Sequence, residues 1–208
     1  VLINAFRQDK DIHTIISAAI LGKEEGEVTK EERNRAKAIN YGLIYGMGPN
    51  RLAKTTGIRQ SEAKDFIEQY FQRFPKIRGL IEEFVLFAKE HNYCQTILGR
   101  RRPIPDINNV NQRLASNARN IAINTPIQGS AADLIKIAMI NIHKHLQALN
   151  VRCSMILQIH DELVFECHQD DLEMAEQTIK TQMEKAIDLD VPLIVDIGHG
   201  NNWLEAHS

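Results

Sequence analysis

Apolar positions recur at helical spacing through the first two-thirds of the chain and then switch to a strand period. Residues 11–21 read as a helix with Gly22 as its stop. Thr29-Lys30-Glu31-Glu32 has the form of a capping box, in which the threonine hydroxyl accepts from the third helical N–H and Glu32 reaches back. The helix it opens runs to about Tyr45 and ends near Gly46 and Gly48. Ser61 is placed to cap a further helix that runs through Phe74 to its stop at Pro75, and another helix covers residues 76–91. Residues 99–111, with three arginines, two prolines and several asparagines, read as a basic loop. Helix resumes over 113–123, and Pro126 and Gly129 are expected to interrupt it before residues 131–149. Residues 154–167 alternate around His160-Asp161-Glu162, with β-forming Ile156, Leu157 and Ile159 before it and Leu163, Val164 and Phe165 after it. That is a hairpin with acid at its tip. Residues 171–187 return to helix, and 192–198 read as a final strand. There is no internal repeat, low-complexity tract or flexible linker. The fold class is α+β: a helical region, then a small antiparallel sheet with helices packed on one face.

Composition narrows the class. A chain of 208 residues that is 43% apolar has ample material for a packed core. No apolar run approaches the ~20 residues that span a bilayer, and the first residues lack the architecture of a signal peptide. Transmembrane, secreted, collagen-like and disordered classes are excluded. The three cysteines form no Cys-x-x-Cys and indicate a reducing, cytoplasmic compartment. The chain does not start with methionine, so it is expected to be a piece of something longer. The net charge of −2 hides an asymmetry: residues 1–120 carry 20 Lys and Arg against 14 Asp and Glu, and residues 121–208 carry 5 against 13. The first part suits a polyanion and the second could hold cations; chance surface composition is the bland alternative.

Charge and aromatics concentrate at a few positions. Arg33, Lys37, Tyr41 and Tyr45 recur every four residues, which keeps them on one helix face. Phosphates could lie along Arg33 and Lys37 with a base against Tyr41. The same spacing also describes an amphipathic helix with snorkelling stems and half-buried tyrosines. At the hairpin tip, Asp161 and Glu162 are hard oxygen donors of the kind Mg²⁺ takes alongside substrate phosphates and water, although Asp is also simply a good turn residue. The His160-Asp161 pair differs from metal phosphohydrolases of the HD type, which carry that pair on a helix rather than in a strand pattern. Gly99-Arg100-Arg101-Arg102 suits a nucleic-acid backbone or is a solvated turn. Asn124 and Gln128 could reach minor-groove acceptors or merely end a broken helix. His13, two residues after the capping candidate Asp11, faces the same anion or solvent. The cysteines read as small buried apolar residues, and Trp203 as a docking anchor.

Taken together these segments resemble the carboxy-terminal part of the bacterial polymerase I group, the family A DNA polymerases. Arg33-x3-Lys37-x3-Tyr41-Gly42-x2-Tyr45-Gly46 is similar to the family's motif B helix, and Gln158-Ile159-His160-Asp161-Glu162-Leu163-Val164 to its motif C. Gly99-Arg100-Arg101-Arg102-x-Ile104-Pro105-Asp106, Asn124-x-Pro126-x-Gln128-Gly129, Asp11-Ile12-His13-Thr14 and Gly198-x-Gly200-x2-Trp203 resemble further family signatures, in order along the whole chain. The resemblance implies fingers over 1–112, with a nucleotide-binding helix at 33–46 and the basic loop at 99–111. It implies the second half of a palm over 113–208, with the catalytic hairpin at 154–167. It implies that His13, Arg33 and Lys37 hold the triphosphate of an incoming dNTP, with Lys37 also catalytic, and that Tyr41 stacks on its base and sugar. Tyr45 would pack near the templating pair, Arg100 and Arg101 would follow the primer–template, Asn124 and Gln128 would touch its minor groove, and His160 the primer terminus. Asp161, with Glu162 beside it, would ligate Mg²⁺ in a two-metal nucleotidyl transfer to the primer 3′-OH. The second ligand set belongs to the family's motif A, which the resemblance places upstream of Val1, so the chain alone is expected to be inactive and to need that upstream part as a partner. The sequence departs from the family in having Tyr41 where Phe is usual, and Asn120, with Arg119 before it, where Arg is usual. A non-catalytic nucleic-acid-binding module and an isolated nucleotide-binding or regulatory domain are the alternatives.

Overall fold

The computed structural model describes residues 2–207, and the chain divides into two compact units, residues 1–130 and 131–208. The first unit opens with helices α1 (Leu2–Arg7), α2 (Ile12–Leu21), α3 (Lys30–Ile44), α4 (Pro49–Thr56), α5 (Gln60–Arg73) and α6 (Pro75–His91). A short antiparallel hairpin follows, β1 (Tyr93–Gln95) with β2 (Arg101–Pro103), and then helix α7 (Gln112–Ala148), whose residues from 131 onward belong to the second unit. The second unit contains the hairpin β3 (Cys153–Ile159) and β4 (Glu162–Cys167), helix α8 (Leu172–Glu184) and the short turn of helix α9 (Trp203–Ala206).

Local chemistry explains the best-defined ends. Asp11 caps α2 by accepting from the His13 N–H, and Gly22 closes the helix at φ 65°. Thr29 and Glu32 form the reciprocal capping box on α3. The α5 cap is Arg59, two residues before Ser61, because Glu62 reaches back to both the backbone N–H and the guanidinium of Arg59. Helix α4 is absent from the periodicity reading; Pro49 at its first turn and Gly57 at φ 72° after it are its signature.

The expected break in α7 does not occur. The helix continues through Pro126, which removes only one backbone donor, and its neighbours hold the turn together. Ser130 Oγ donates to the Pro126 carbonyl and accepts from the Ile97 N–H at 2.9 Å. Arg102 reaches Thr125 Oγ1 at 3.0 Å. Gly129 is there for space: a Cβ would lie 2.7 Å from the Thr96 methyl carbon. The basic loop is likewise more ordered than its composition suggests, since Arg101 and Arg102 lie in β2 and a 3₁₀ turn follows at Pro105–Asn108.

Core packing in the first unit joins Ile16, Ile39, Leu43, Leu52, Tyr70 and Phe74, with Tyr70 OH donating to Asn40 Oδ1 at 2.7 Å. Burial pushes the Tyr70 phenol up to about 12, so it remains a donor. A second cluster of Ala88, Cys94, Ile104, Ile107, Ala118 and Ala122 seats the β1–β2 hairpin on α7. In the second unit Ala138, Ile142, Leu146 and Ala175 pack under Cys153, Met155, Leu163, Phe165 and Cys167, the inner face of the hairpin. Residues 192–198 do not form a strand, because no described strand offers them a ladder; Val195 N–H instead reaches Glu184 Oε1 at 3.3 Å. Among the described residues no helix is long and apolar enough to cross a membrane.

Candidate functional site

In the first unit the residues of the α3 face gather with the start of α2. Asp11 is the hub. Its carboxylate accepts from the His13 N–H at 3.1 Å, from Thr14 Oγ1 at 2.6 Å and from Arg33 Nε. The Arg33 guanidinium, with help from the Thr14 and His13 donors, holds the Asp11 carboxyl well below the usual carboxylate range. Arg33 is held charged in return. Lys37 is exposed one turn on. The His13 ring lies 5.6 Å from Tyr41, and Tyr41 stacks on Tyr45 at 6.5 Å and 18°. Tyr41 nevertheless keeps 49% of its surface, so an aromatic platform is open beside two cations.

His13 Nδ1 is buried without a hydrogen-bond partner. Desolvation lowers the His13 pKa, the charges of Arg33 and Lys37 lower it further, and Asp11 opposes them. Both lowered groups bind protons more readily unfolded, so both contribute stability above their unfolded pKa values that is lost on acidification. Resistance to urea should therefore fall below about pH 6.5 through His13, opposed by the raised His207, and again below about pH 4 through Asp11 together with Glu32, Glu62, Asp171 and Glu205. In Asp11→Asn the second limb is expected to become shallower while the first remains; an unchanged second limb would mean that the Asp11–Arg33 pair contributes nothing to folding.

The three arginines of the β1–β2 hairpin divide their work. Arg100 donates to the Gly129 carbonyl at 3.0 Å and Arg102 is tied to Thr125, so both clasp α7. Arg101 instead lays its guanidinium over the Tyr93 ring at 4.7 Å and remains exposed. Asn124 and Gln128 sit one turn apart within α7 rather than at a broken end. Asn124 Oδ1 is buried with no partner, and Gln128 is exposed. Asn120 faces the end of α3, where a Cβ on Gly46 would meet its Oδ1 at 2.9 Å, and Arg119 is exposed.

In the second unit the hairpin tip is a two-residue turn. Ile159 pairs with Glu162, leaving His160 and Asp161 between the strands, so Glu162 begins β4 rather than sharing the turn. His160 adopts φ 52°, a conformation uncommon for a residue with a side chain, and Gln158 Nε2 donates to its carbonyl at 3.1 Å. A bulge at Ile156 rephases β3, which places Gln158 opposite Leu163. Asp161 is exposed at the apex. Glu162 Oε2 lies 3.3 Å from His207 Nε2, whose other nitrogen lies 2.9 Å from the Trp203 carbonyl. That carbonyl and then the Glu162 carboxylate favour the protonated imidazole. Gly198 makes this approach possible, since a Cβ there would lie 2.0 Å from the Ala206 carbonyl oxygen. Trp203 stacks on His207 at 5.3 Å and is 46% exposed, so its ring is shared between the C-terminal turn and water.

Sequence reasoning missed two pairings. Asp11 is recognisable as a cap, but its hold on Arg33 is 22 residues away. His207 on Glu162 spans 45 residues, and only the Gly198-x-Gly200 spacing hints that the chain folds back there.

Among the described residues no three His, Cys, Asp or Glu side chains gather to hold a metal. Two exposed carboxylates supply the donor chemistry of Mg²⁺, which keeps waters and shares substrate phosphates, so the tip fits part of such a site.

Comparison with known proteins then gives the relationship. A family model described as DNA polymerase family A matches residues 1–205. The chain is 44% identical over 206 residues to the DNA polymerase I of Streptococcus pneumoniae serotype 4, covering 99% of this chain and 24% of that protein. It is 43% identical over 201 residues to a thermostable DNA polymerase I of Thermus filiformis, covering 97% and 24%. Among solved structures it is similar to the POL domain of Pol1 from M. smegmatis in complex with DNA primer–template and dNTP, at TM-score 0.95 and 40% identity, covering all of this chain and 36% of that one. The chain therefore spans about a quarter of the length of the curated relatives it matches.

Proposed function

The chain belongs to DNA polymerase family A, and from that premise we propose that it supplies the nucleotide-binding helix and one metal-binding carboxylate of a template-directed DNA polymerase. The observation that carries the reading is the α2–α3 cluster, in which Arg33, exposed Lys37 and the open Tyr41 ring follow one another with His13 against Tyr41. Cations and an aromatic face in that order suit a nucleoside triphosphate, phosphates on the cations and base on the ring.

In this reading the substrate is a dNTP and the acceptor is the 3′-OH of a DNA primer. His13, Arg33 and Lys37 bind the triphosphate, Lys37 neutralising charge as pyrophosphate leaves, while Tyr41 lies against the base and sugar and Tyr45 beside the templating pair. A triphosphate that reaches Arg33 must share the guanidinium with Asp11, which orients it through Nε and leaves its other nitrogens available. Asn124 and Gln128 read the primer minor groove, and the orphaned Asn124 carbonyl oxygen is in keeping with a donor arriving from outside the chain. His160 meets the primer terminus. Asp161 would hold Mg²⁺ with Glu162 beside it, and a metal there supplies charge neutralisation along the in-line displacement. The fingers would comprise residues 1–112 and the palm part 113–208, the remaining ligands coming from an upstream part of the same polymerase. Three free thiols are in keeping with a cytoplasmic setting.

Binding of dNTP by the 208-residue chain, followed by calorimetry, tests the reading directly. Lys37→Ala should weaken triphosphate binding at least about tenfold, as loss of a charge-assisted contact of about 1.5–3 kcal/mol requires. Equal affinity in the variant removes the α3 face as the nucleotide site. Duplex DNA tests the basic hairpin. Arg101→Ala should lower the slope of log affinity against log salt by about one, the signature of one phosphate contact, without moving the melting temperature. Arg100→Ala should lower the melting temperature as well, because Gly129 loses its guanidinium partner. An unchanged slope in both would leave Arg100 as a clasp on α7 and Arg101 as a cover on the Tyr93 ring.

A further inference from the structure

We propose that Cys153 and Cys167 form a paired-thiol modification site, which a low-molecular-weight disulfide oxidises to an intramolecular bond across the β3–β4 hairpin. The two residues are direct cross-strand partners. Their position in the ladder decides how close the side chains come. His168 N–H donates to the Arg152 carbonyl at 2.8 Å, whereas the Cys153 N–H turns back to the Val151 carbonyl at 2.9 Å. Arg152 and His168 thus form the hydrogen-bonded pair, and Cys153 and Cys167 the non-hydrogen-bonded one. Antiparallel strands place such partners about 4.5 Å apart at Cα with side chains closest, inside the range of about 4.4–6.8 Å that disulfides span.

Both sulfurs lie on the same face, among the residues packed on Ala138, Ile142 and Leu146. Both are free thiols and partly accessible, whereas Cys94 is 1% exposed. Burial, with the Cys167 sulfur adding to it, raises the Cys153 thiol above its usual range, which makes Cys153 the second of the two to react. The Cys167 thiolate, its proton lost to water, attacks one sulfur of oxidised glutathione. The glutathione S–S bond breaks, one glutathione thiolate leaves and takes up a proton, and Cys167 carries a mixed disulfide. Cys153 sulfur then attacks the Cys167 sulfur and gives its proton to the second departing glutathione. Two protein thiols are oxidised to one disulfide and one glutathione disulfide is reduced to two thiols. The product ties the base of the hairpin whose tip carries Asp161. The proposal rests on the hairpin ladder and stands apart from the polymerase reading.

The test incubates the chain with oxidised glutathione, quenches with an alkylating agent under denaturing conditions and maps the peptides by mass spectrometry. Alkylatable thiols should fall from three to one, the protein should lose the mass of two hydrogens, and one linked peptide pair should join Cys153 to Cys167. Cys153→Ser and Cys167→Ser should each form no linked pair and stop at a single glutathione adduct on the remaining partner. A wild-type chain that retains all its thiols, that accumulates an unclosed adduct, or that links Cys94 overturns the proposal.

Discussion

Asp161→Ala, made in a polymerase that contains this chain together with the upstream strand of the family's motif A, is expected to lower the rate of nucleotide addition by roughly 10²–10⁴-fold. The figure follows from the several kcal/mol that a metal contributes to neutralising transition-state charge, at about 1.4 kcal/mol per tenfold in rate. Folding should be almost unaffected. Asp161 is exposed at the apex of a two-residue turn, and the ladder from Cys153–Cys167 to Ile159–Glu162 does not involve its side chain. An exposed substitution of this kind usually stays within about 0.5 kcal/mol. Primer–template affinity should also stay near the parental value, since phosphate contacts rather than this carboxylate carry it. Pre-steady-state primer extension, with DNA affinity measured separately, distinguishes the outcomes. Glu162→Ala is the internal comparison: it removes the His207 contact as well as a carboxylate, so it should lower the melting temperature where Asp161→Ala does not. Extension by Asp161→Ala at near-parental rates would show that the hairpin tip is not a metal-binding part of the reaction.

The parts of this fold legible in the sequence are those whose causes are local. The Asp11 cap, the Gly22 stop and the Thr29–Glu32 box each complete their hydrogen bonds within a few residues, and each stands where the pattern placed it. The β3–β4 hairpin is legible for the same reason, two β-forming runs around a two-residue turn. Pro126 and Gly129 misled because their usual reading concerns an isolated helix. Ser130, Arg100 and Arg102 stitch the β1–β2 hairpin to α7 there, and Gly129 is needed for the approach of Thr96. Residues 192–198 show the converse error, a strand pattern without a partner strand among the described residues. The α3 face was legible as a face, but its electrostatic state was not. Asp11 on Arg33 and the desolvation of His13 both depend on how α2 packs on α3, which no local spacing reveals.

Tyr41 is the position where one atom should change substrate choice. Phe is usual in the family at this point of motif B, and in the proposed reading Tyr41 sets a hydroxyl against the sugar of the incoming nucleotide where Phe has none. The physical account is a hydrogen bond. A nucleotide lacking its 3′-OH leaves a polar interaction unmade in the transition state, and the phenol of Tyr41 can make it instead. With Phe the gap stays unfilled. A neutral hydrogen bond contributes about 1 kcal/mol net, and a group left unsatisfied costs about 1–3 kcal/mol, so the preference for deoxy- over dideoxynucleotide should rise by roughly tenfold to a hundredfold in Tyr41→Phe. The ring itself should not move, because its contacts with His13 at 5.6 Å and Tyr45 at 6.5 Å are made ring to ring and neither uses the hydroxyl. Incorporation of ordinary dNTPs and thermal stability should therefore stay close to parental, which separates loss of the hydroxyl from damage to the helix. The measurement is kcat/KM for each nucleotide class with both proteins. Equal dideoxy-to-deoxy ratios in parent and variant would mean that Tyr41 does not face the sugar, even if the rest of the α3 face binds the triphosphate.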